Sequence, residues 1–168
     1  MDRAAVEGWL ERYGRAWETR DPGAAAELFT EDAEYREKPF DEPMTGRAAI
    51  YRYWSEIPET QRDIAFGFET LSVDGERAIV RWWASYVKIR NGEPTRLDGV
   101  FLLEFAEDGR CRSLREWWHA HPSPAFTARE SLRPIPADPA AAQRSRAVVL
   151  AALIALGVAG ALVFLLLR

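Results

Sequence analysis

The chain has 168 residues, 48% of them hydrophobic and 12% aromatic, enough for one domain with a proper core and an appendage. A net charge of -4 argues against a nucleic-acid partner, which would want a basic stripe. Cys111 is the only cysteine, which excludes an internal disulfide and permits a reducing compartment.

The first residues, Met1 to Trp9, lack the apolar core of a secretory signal, so the domain is expected in the cytoplasm. Residues Arg3 to Thr19 read as an amphipathic helix with Val6, Trp9, Leu10, Tyr13 and Trp17 on one stripe. Asp21 followed by Pro22 is a standard helix start, and the short second helix buries Ala25, Leu28 and Phe29.

A strand follows, with Ala33, Tyr35 and Glu37 on one face and Glu34, Arg36 and Lys38 on the other. The second face is wholly charged and must be wet, which turns Tyr35 and Glu37 inward. A Pro-punctuated loop leads to Thr45, read as the cap of a third helix from Gly46 to Ile57. That helix presents Ile50, Tyr51, Trp54 and Ile57 and is ended by Pro58.

The period then changes to two. Ile64, Phe66 and Phe68 alternate, and Leu71 and Val73 fall on the opposite parity, which predicts a bulge between them. Turns at Asp74-Gly75, Asn91-Gly92 and Asp108-Gly109 separate strands over Arg77–Arg90, Thr95–Phe105 and Cys111–His121. Gly99, Phe101, Leu103 and Phe105 share one face. On the last strand Leu114, Glu116, Trp118 and Ala120 share a face, opposite Arg115, Trp117, His119 and His121. The fold class is therefore α+β: three N-terminal helices packed on a curved, mostly antiparallel sheet.

From Pro122 to Arg146 the composition shifts to a Pro/Ala/Arg-rich linker holding five of the ten prolines, with room for a short helix at 125–132. From Ala147 to Leu167 every residue is apolar or Gly. As a helix this run is about 30 Å long, the hydrocarbon thickness of a bilayer, and it has no polar stripe. One transmembrane helix is expected, with Arg144 and Arg146 before it and a cytoplasmic N-terminal domain: a single-pass protein of the cell membrane. Gly157 and Ala161 have the small-xxx-small spacing that can pair such helices.

Several of these segments together carry a resemblance. They are the first helix, the Asp21-Pro22 start, Leu28-Phe29-Thr30-Glu31-Asp32-Ala33, Gly46-Arg47-Ala48-Ala49-Ile50, and the run from Gly99-Val100-Phe101 through Asp108-Gly109-Arg110 to Leu114-Arg115-Glu116-Trp117-Trp118. Over about residues 3 to 121 the chain resembles the SnoaL-like branch of the NTF2-like (nuclear transport factor 2) superfamily. The resemblance implies a cone-shaped α+β domain, often dimeric, so a homodimer is expected. The superfamily holds ketosteroid isomerases, limonene-type epoxide hydrolases, polyketide cyclases and non-catalytic binding domains.

Set against ketosteroid isomerases, Tyr13 falls at their oxyanion tyrosine and Glu37 at their proton-abstracting aspartate. Phe101 stands where they keep a protonated aspartate. Set against limonene-type epoxide hydrolases, Tyr35 matches a water-positioning tyrosine, Glu37 replaces an asparagine, and Glu116 matches the water-activating aspartate. Their further Arg-x-Asp pair has no counterpart around Trp82, Trp83, Ala84 and Ser85.

Two functions follow as expectations. One is a membrane-tethered domain that binds a small apolar ligand, or a protein partner, in or around its cone, with Trp17, Trp54, Phe66, Trp83, Phe101 and Trp118 as ligand-binding residues. The other is a cofactor-free acid–base enzyme (isomerase, cyclase or epoxide-hydrolase-like) with Glu37 as general base and Tyr13, Tyr35 and Glu116 assisting, because burial moves a carboxyl toward a useful pKa. The bland alternative locks Glu37 and Glu116 into ion pairs with Arg36, Arg47, Arg81 or Arg115. Arg96 and Asp98 read as a salt-bridged outer face or a dimer surface. His119 and His121 have the spacing of a two-ligand metal patch, but no third ligand is evident, and neither metal nor other cofactor is expected. Cys111 reads as a strand residue with no histidine placed to activate it.

Overall fold

The structure, a computed structural model, describes residues 1–122. The expected linker and membrane-spanning helix lie outside the described residues. Among those described, no helix is long and apolar enough to cross a membrane.

Helix α1 (Arg3–Thr19) opens with Asp2, whose Oδ1 accepts from the Ala5 N–H at 2.8 Å, a cap of about 1 kcal/mol. Its buried stripe of Val6, Trp9, Leu10, Tyr13 and Trp17 is the one that the periodicity predicts. Asp21 caps α2 (Pro22–Ala26) by accepting from the Ala24 N–H at 2.9 Å. Strand β1 (Phe29–Arg36) follows, then the two-residue β2 (Met44–Thr45), which the sequence reading placed in a loop.

Thr45 is consequently a strand residue and not a cap. Gly46 occupies the N-cap of α3 (Arg47–Trp54) with φ +86°, a left-handed backbone that suits glycine. The expected third helix is two pieces, because the chain turns at Ser55 and restarts as α4 (Ile57–Thr60) with Pro58 inside its first turn. Proline is tolerated there, since the first-turn N–H groups have no helical partner anyway.

Strands β3 (Gln61–Asp74), β4 (Arg77–Lys88), β5 (Pro94–Phe105) and β6 (Cys111–Pro122) form the antiparallel meander. The six strands make one sheet in the order β2-β1-β6-β5-β4-β3, with β1 parallel to β6 and every other neighbour antiparallel. The bulge expected in β3 lies between Thr70 and Ser72. A second one, unforeseen, lies between Arg62 and Ala65, where Asp63 has φ +54°. Bulges bend and twist a strand, and these help curl the sheet around α1.

The inner face carries Val80 and Trp82 from β4, Phe101, Leu103 and Phe105 from β5, and Leu114 from β6, all essentially inaccessible. Trp9 meets Phe29 and Phe105 edge-on at 5.7 and 5.6 Å, and Phe101 stacks on Trp82 at 5.0 Å. Each such buried ring removes well over 100 Å² from water and contributes a few kcal/mol. This aromatic base closes the narrow end of a cone, and the open end holds the site.

Candidate active site

A cavity of about 140 Å³ opens between α1, α3, α4 and the inner face of the sheet. Tyr13 and Trp17 reach it from α1, Tyr35 from β1, and Tyr53 and Trp54 from α3. Trp82 and Tyr86 come from β4, Leu97 from β5, and Glu116 and Trp118 from β6. Glu37 lies one residue past the end of β1, half-buried, and still lines the cavity. Glu56 and Gln61 stand at its mouth.

The floor is a hydrogen-bonded chain. Tyr35 Oη donates to Glu116 Oε1 at 2.9 Å, and Tyr13 Oη lies 3.0 Å from Tyr35 Oη. A tyrosine has one proton to give, so with that of Tyr35 committed to Glu116, Tyr13 is the donor in the second bond. Glu116 is only 5% exposed. Burial pushes its carboxyl up to about 8, the Tyr35 bond works against that, and Glu37 adds to it. Glu116 is therefore a neutral acid over most of the physiological range. Burial also lifts the Tyr13 and Tyr35 hydroxyls well above the ordinary phenol range, with Glu116 contributing next in each case.

The ion pairs that would have locked the two carboxyls are made elsewhere. Arg47 is taken by Glu31 at 2.8 Å and by the Phe29 carbonyl, and Arg81 by Asp98 at 2.7 Å. Arg115 reaches Glu104 at 3.6 Å, and Arg36 donates to the Asp41 carbonyl at 2.6 Å. Glu37 instead lines the cavity along with Tyr53. Burial raises the Tyr53 hydroxyl well above its usual range, with Glu116, Glu37 and Glu56 adding to the rise.

The four residues expected to do chemistry, Tyr13, Tyr35, Glu37 and Glu116, thus line one cavity together with Trp17, Trp54 and Trp118. Phe101 and Phe66 do not line it. Phe101 lies in the base under Tyr13, at 5.5 Å, and Phe66 packs between Tyr13 and Trp17 while lining a separate shallow groove beside α1. Trp83 is on the wrong face. Its neighbour Trp82 fills the cone, whereas Trp83 lies against Gly67 on the outer face with the Arg81 guanidinium 5.5 Å from its ring.

Tyr53 was missed by the sequence reading, which turned Tyr51 inward; Tyr51 is 48% exposed. The available signal was that Tyr53 follows Ile50 by three residues and so shares its helical stripe. Glu56 and Tyr86 were missed as well. His119 and His121 are exposed, and among the described residues no three His, Cys, Asp or Glu side chains cluster as a metal site would require.

Residues 10–114 match the family model of the SnoaL-like domain, and the chain belongs to that family. No curated protein sequence matches it. Among solved structures it is similar to a Bacillus subtilis protein provisionally named an isomerase (23% identity, TM-score 0.63, covering 71% of this chain and 90% of that one). It is also similar to the epoxide hydrolase/cyclase-like enzyme SalBIII of pyran ring formation in salinomycin (20% identity, TM-score 0.64, covering 73% and 98%). A Novosphingobium aromaticivorans protein provisionally named a scytalone dehydratase is likewise similar (18% identity, TM-score 0.66, covering 79% and 92%). At these identities the likeness is one of fold.

Proposed function

We propose that this domain is a cofactor-free acid–base enzyme that removes a proton from carbon beside a carbonyl group of a small, largely apolar molecule, as isomerases, cyclases and dehydratases do. One observation carries the reading. A buried neutral carboxylic acid, held by the Tyr13–Tyr35 chain, shares a cavity with a second carboxyl group that no described arginine or lysine neutralises.

In this mechanism Glu37 takes the α-proton, and the C–H electron pair moves into the carbon framework as the carbonyl oxygen becomes an enolate oxygen. Glu116 accepts from Tyr35 at one carboxyl oxygen and gives its own proton's hydrogen bond to that enolate from the other. The acid that the resemblance to ketosteroid isomerases asks for at Phe101 is then supplied from the next strand, since Phe101 and Glu116 are cross-strand partners. Return of the proton to another carbon completes an isomerisation, whereas loss of a β-hydroxyl, protonated by Glu116, completes a dehydration. The names of the similar structures, isomerase and dehydratase among them, fit this class.

The test is hydrogen exchange. Small cyclic ketones are incubated with the protein in deuterated water, and α-deuteration is followed by NMR. Glu37→Gln should slow the exchange by about 10²–10⁴-fold, and Glu116→Ala should slow it strongly too. Exchange indifferent to both changes would leave the domain as a binding module for a small apolar ligand. Under either reading the apolar run 147–167 is proposed to tether the domain to the cytoplasmic face of the membrane, to be checked by fractionation of the full chain and of a chain ending at residue 146.

A further inference from the structure

The cavity is lopsided in charge. Among the described residues, three carboxyl groups line it, those of Glu37, Glu56 and Glu116, and no lysine, arginine or histidine does. Four indoles and four phenols supply most of the remaining wall. Lys88, the cation beside Tyr86 at the rim, has its ammonium held by Glu93 at 3.0 Å. With Glu116 neutral, the wall still presents Glu37 and Glu56 with no described counter-ion. Both line the cavity wall together with Tyr53 and Tyr86. Aromatic rings present negative faces to a cation, and low-dielectric walls focus a field that favours positive ligands and repels anions.

We infer that the molecule taken by this cavity carries a positively charged nitrogen, an ammonium group seated at the mouth against Glu56 and beside the rings of Tyr53 and Tyr86. The inference rests on the acid–base reading only in sharing its cavity. The two are compatible: Glu56 supplies the counter-charge, Glu37 stays free to act on carbon, and a fixed positive charge on the substrate eases the build-up of negative charge on its enolate. A carboxylate or phosphate ester is refused on the same grounds.

Three probes of one shape and different charge test this. They are choline, its neutral carbon isostere 3,3-dimethyl-1-butanol, and the anion 3,3-dimethylbutanoate, each titrated into the full-length protein in 150 mM salt by calorimetry and tryptophan fluorescence. Choline should bind about tenfold or more tighter than the isostere, and the anion should not bind. Glu56→Gln should cut the preference to about threefold or less while leaving the isostere's affinity unchanged. Glu59→Gln, an exposed neighbour outside the cavity wall, should change nothing. Equal affinity for choline and isostere, binding of the anion, no binding of any probe, or an equal effect from Glu59→Gln each overturns the inference. None of these outcomes touches the deuterium-exchange result, which judges the acid–base reading separately.

Discussion

Phe101 and Glu116 face each other across the β5/β6 ladder, an inaccessible ring beside a carboxyl that is 5% exposed. Phe101 is inert, and its ring helps deny Glu116 the water that would ionise it. The desolvation that raises the carboxyl's pKa therefore comes from the same aromatic base that holds the fold together.

Such a carboxyl makes stability depend on pH. Its folded pKa of about 8 lies above the ordinary value of 4.5, so the folded state keeps a proton that the unfolded chain releases. Its contribution is fully present below about pH 4.5 and is lost progressively as the pH rises to about 8, by roughly 5 kcal/mol in all. Glu116→Gln, which still offers Tyr35 an acceptor oxygen, should flatten that part of the profile. Urea midpoints of both proteins at intervals from pH 5 to 8.5 measure the difference. Parallel profiles would show that Glu116 ionises freely in the fold.

Tyr35 is the middle of the chain and should show non-additivity. Tyr35→Phe strands the Tyr13 hydroxyl and strips Glu116 of its donor, at a cost of about 1–3 kcal/mol. Tyr13→Phe alone removes only the terminal donor and should cost less. The double substitution should cost clearly less than the sum of the two, by about 0.5 kcal/mol or more, in a denaturant double-mutant cycle.

Gly99 lies between two cavity indoles, paired with Trp82 on one side and Trp118 on the other. A Cβ there would sit 2.5 Å from the Trp117 carbonyl oxygen and 2.8 Å from Trp118 Cβ. Backbone cannot swing aside as a side-chain tip can, so Gly99→Ala should destabilise by about 2–3 kcal/mol and displace the Trp118 ring. Thermal unfolding and the shape of the tryptophan emission band would report both effects.

Cys111 is inaccessible, and burial pushes its thiol up to about 12. It should resist Ellman's reagent at pH 8 in the native protein and react at once in 6 M guanidinium, because the thiolate is the reactive form. Prompt native labelling would mean that the start of β6 opens readily.

What the sequence revealed depended on how local each signal was. The α1 stripe, the Asp21-Pro22 start and the Asp74-Gly75 and Asp108-Gly109 turns are read from a few neighbouring residues, and the structure has all of them. Strand parity likewise turned Glu116 and Trp118 inward. It could not choose between Trp82 and Trp83, because two adjacent indoles satisfy either phase until the register with Gly99 is known. Nor could it join Tyr35 to Glu116, since that needs β1 alongside β6 in parallel, with Tyr35 opposite Leu114. Tyr51 and Tyr53 posed the same problem on a helix: Tyr53 lies three residues after Ile50, but Tyr51 lies three before Trp54, so the spacing signal for Tyr53 had an equal rival.

The position of β6 has a consequence for how the protein comes into being. It is the last of the described strands, yet it sits in the interior of the sheet between β1 and β5. Tyr35 and Glu116 are 81 residues apart in the chain. A chain emerging from the ribosome carries its tyrosines and Glu37 long before it carries the acid, and the seam beside β1 stays open until β6 docks. Contacts of such long range slow folding, and they make the assembled acid–tyrosine pair a mark of a finished domain.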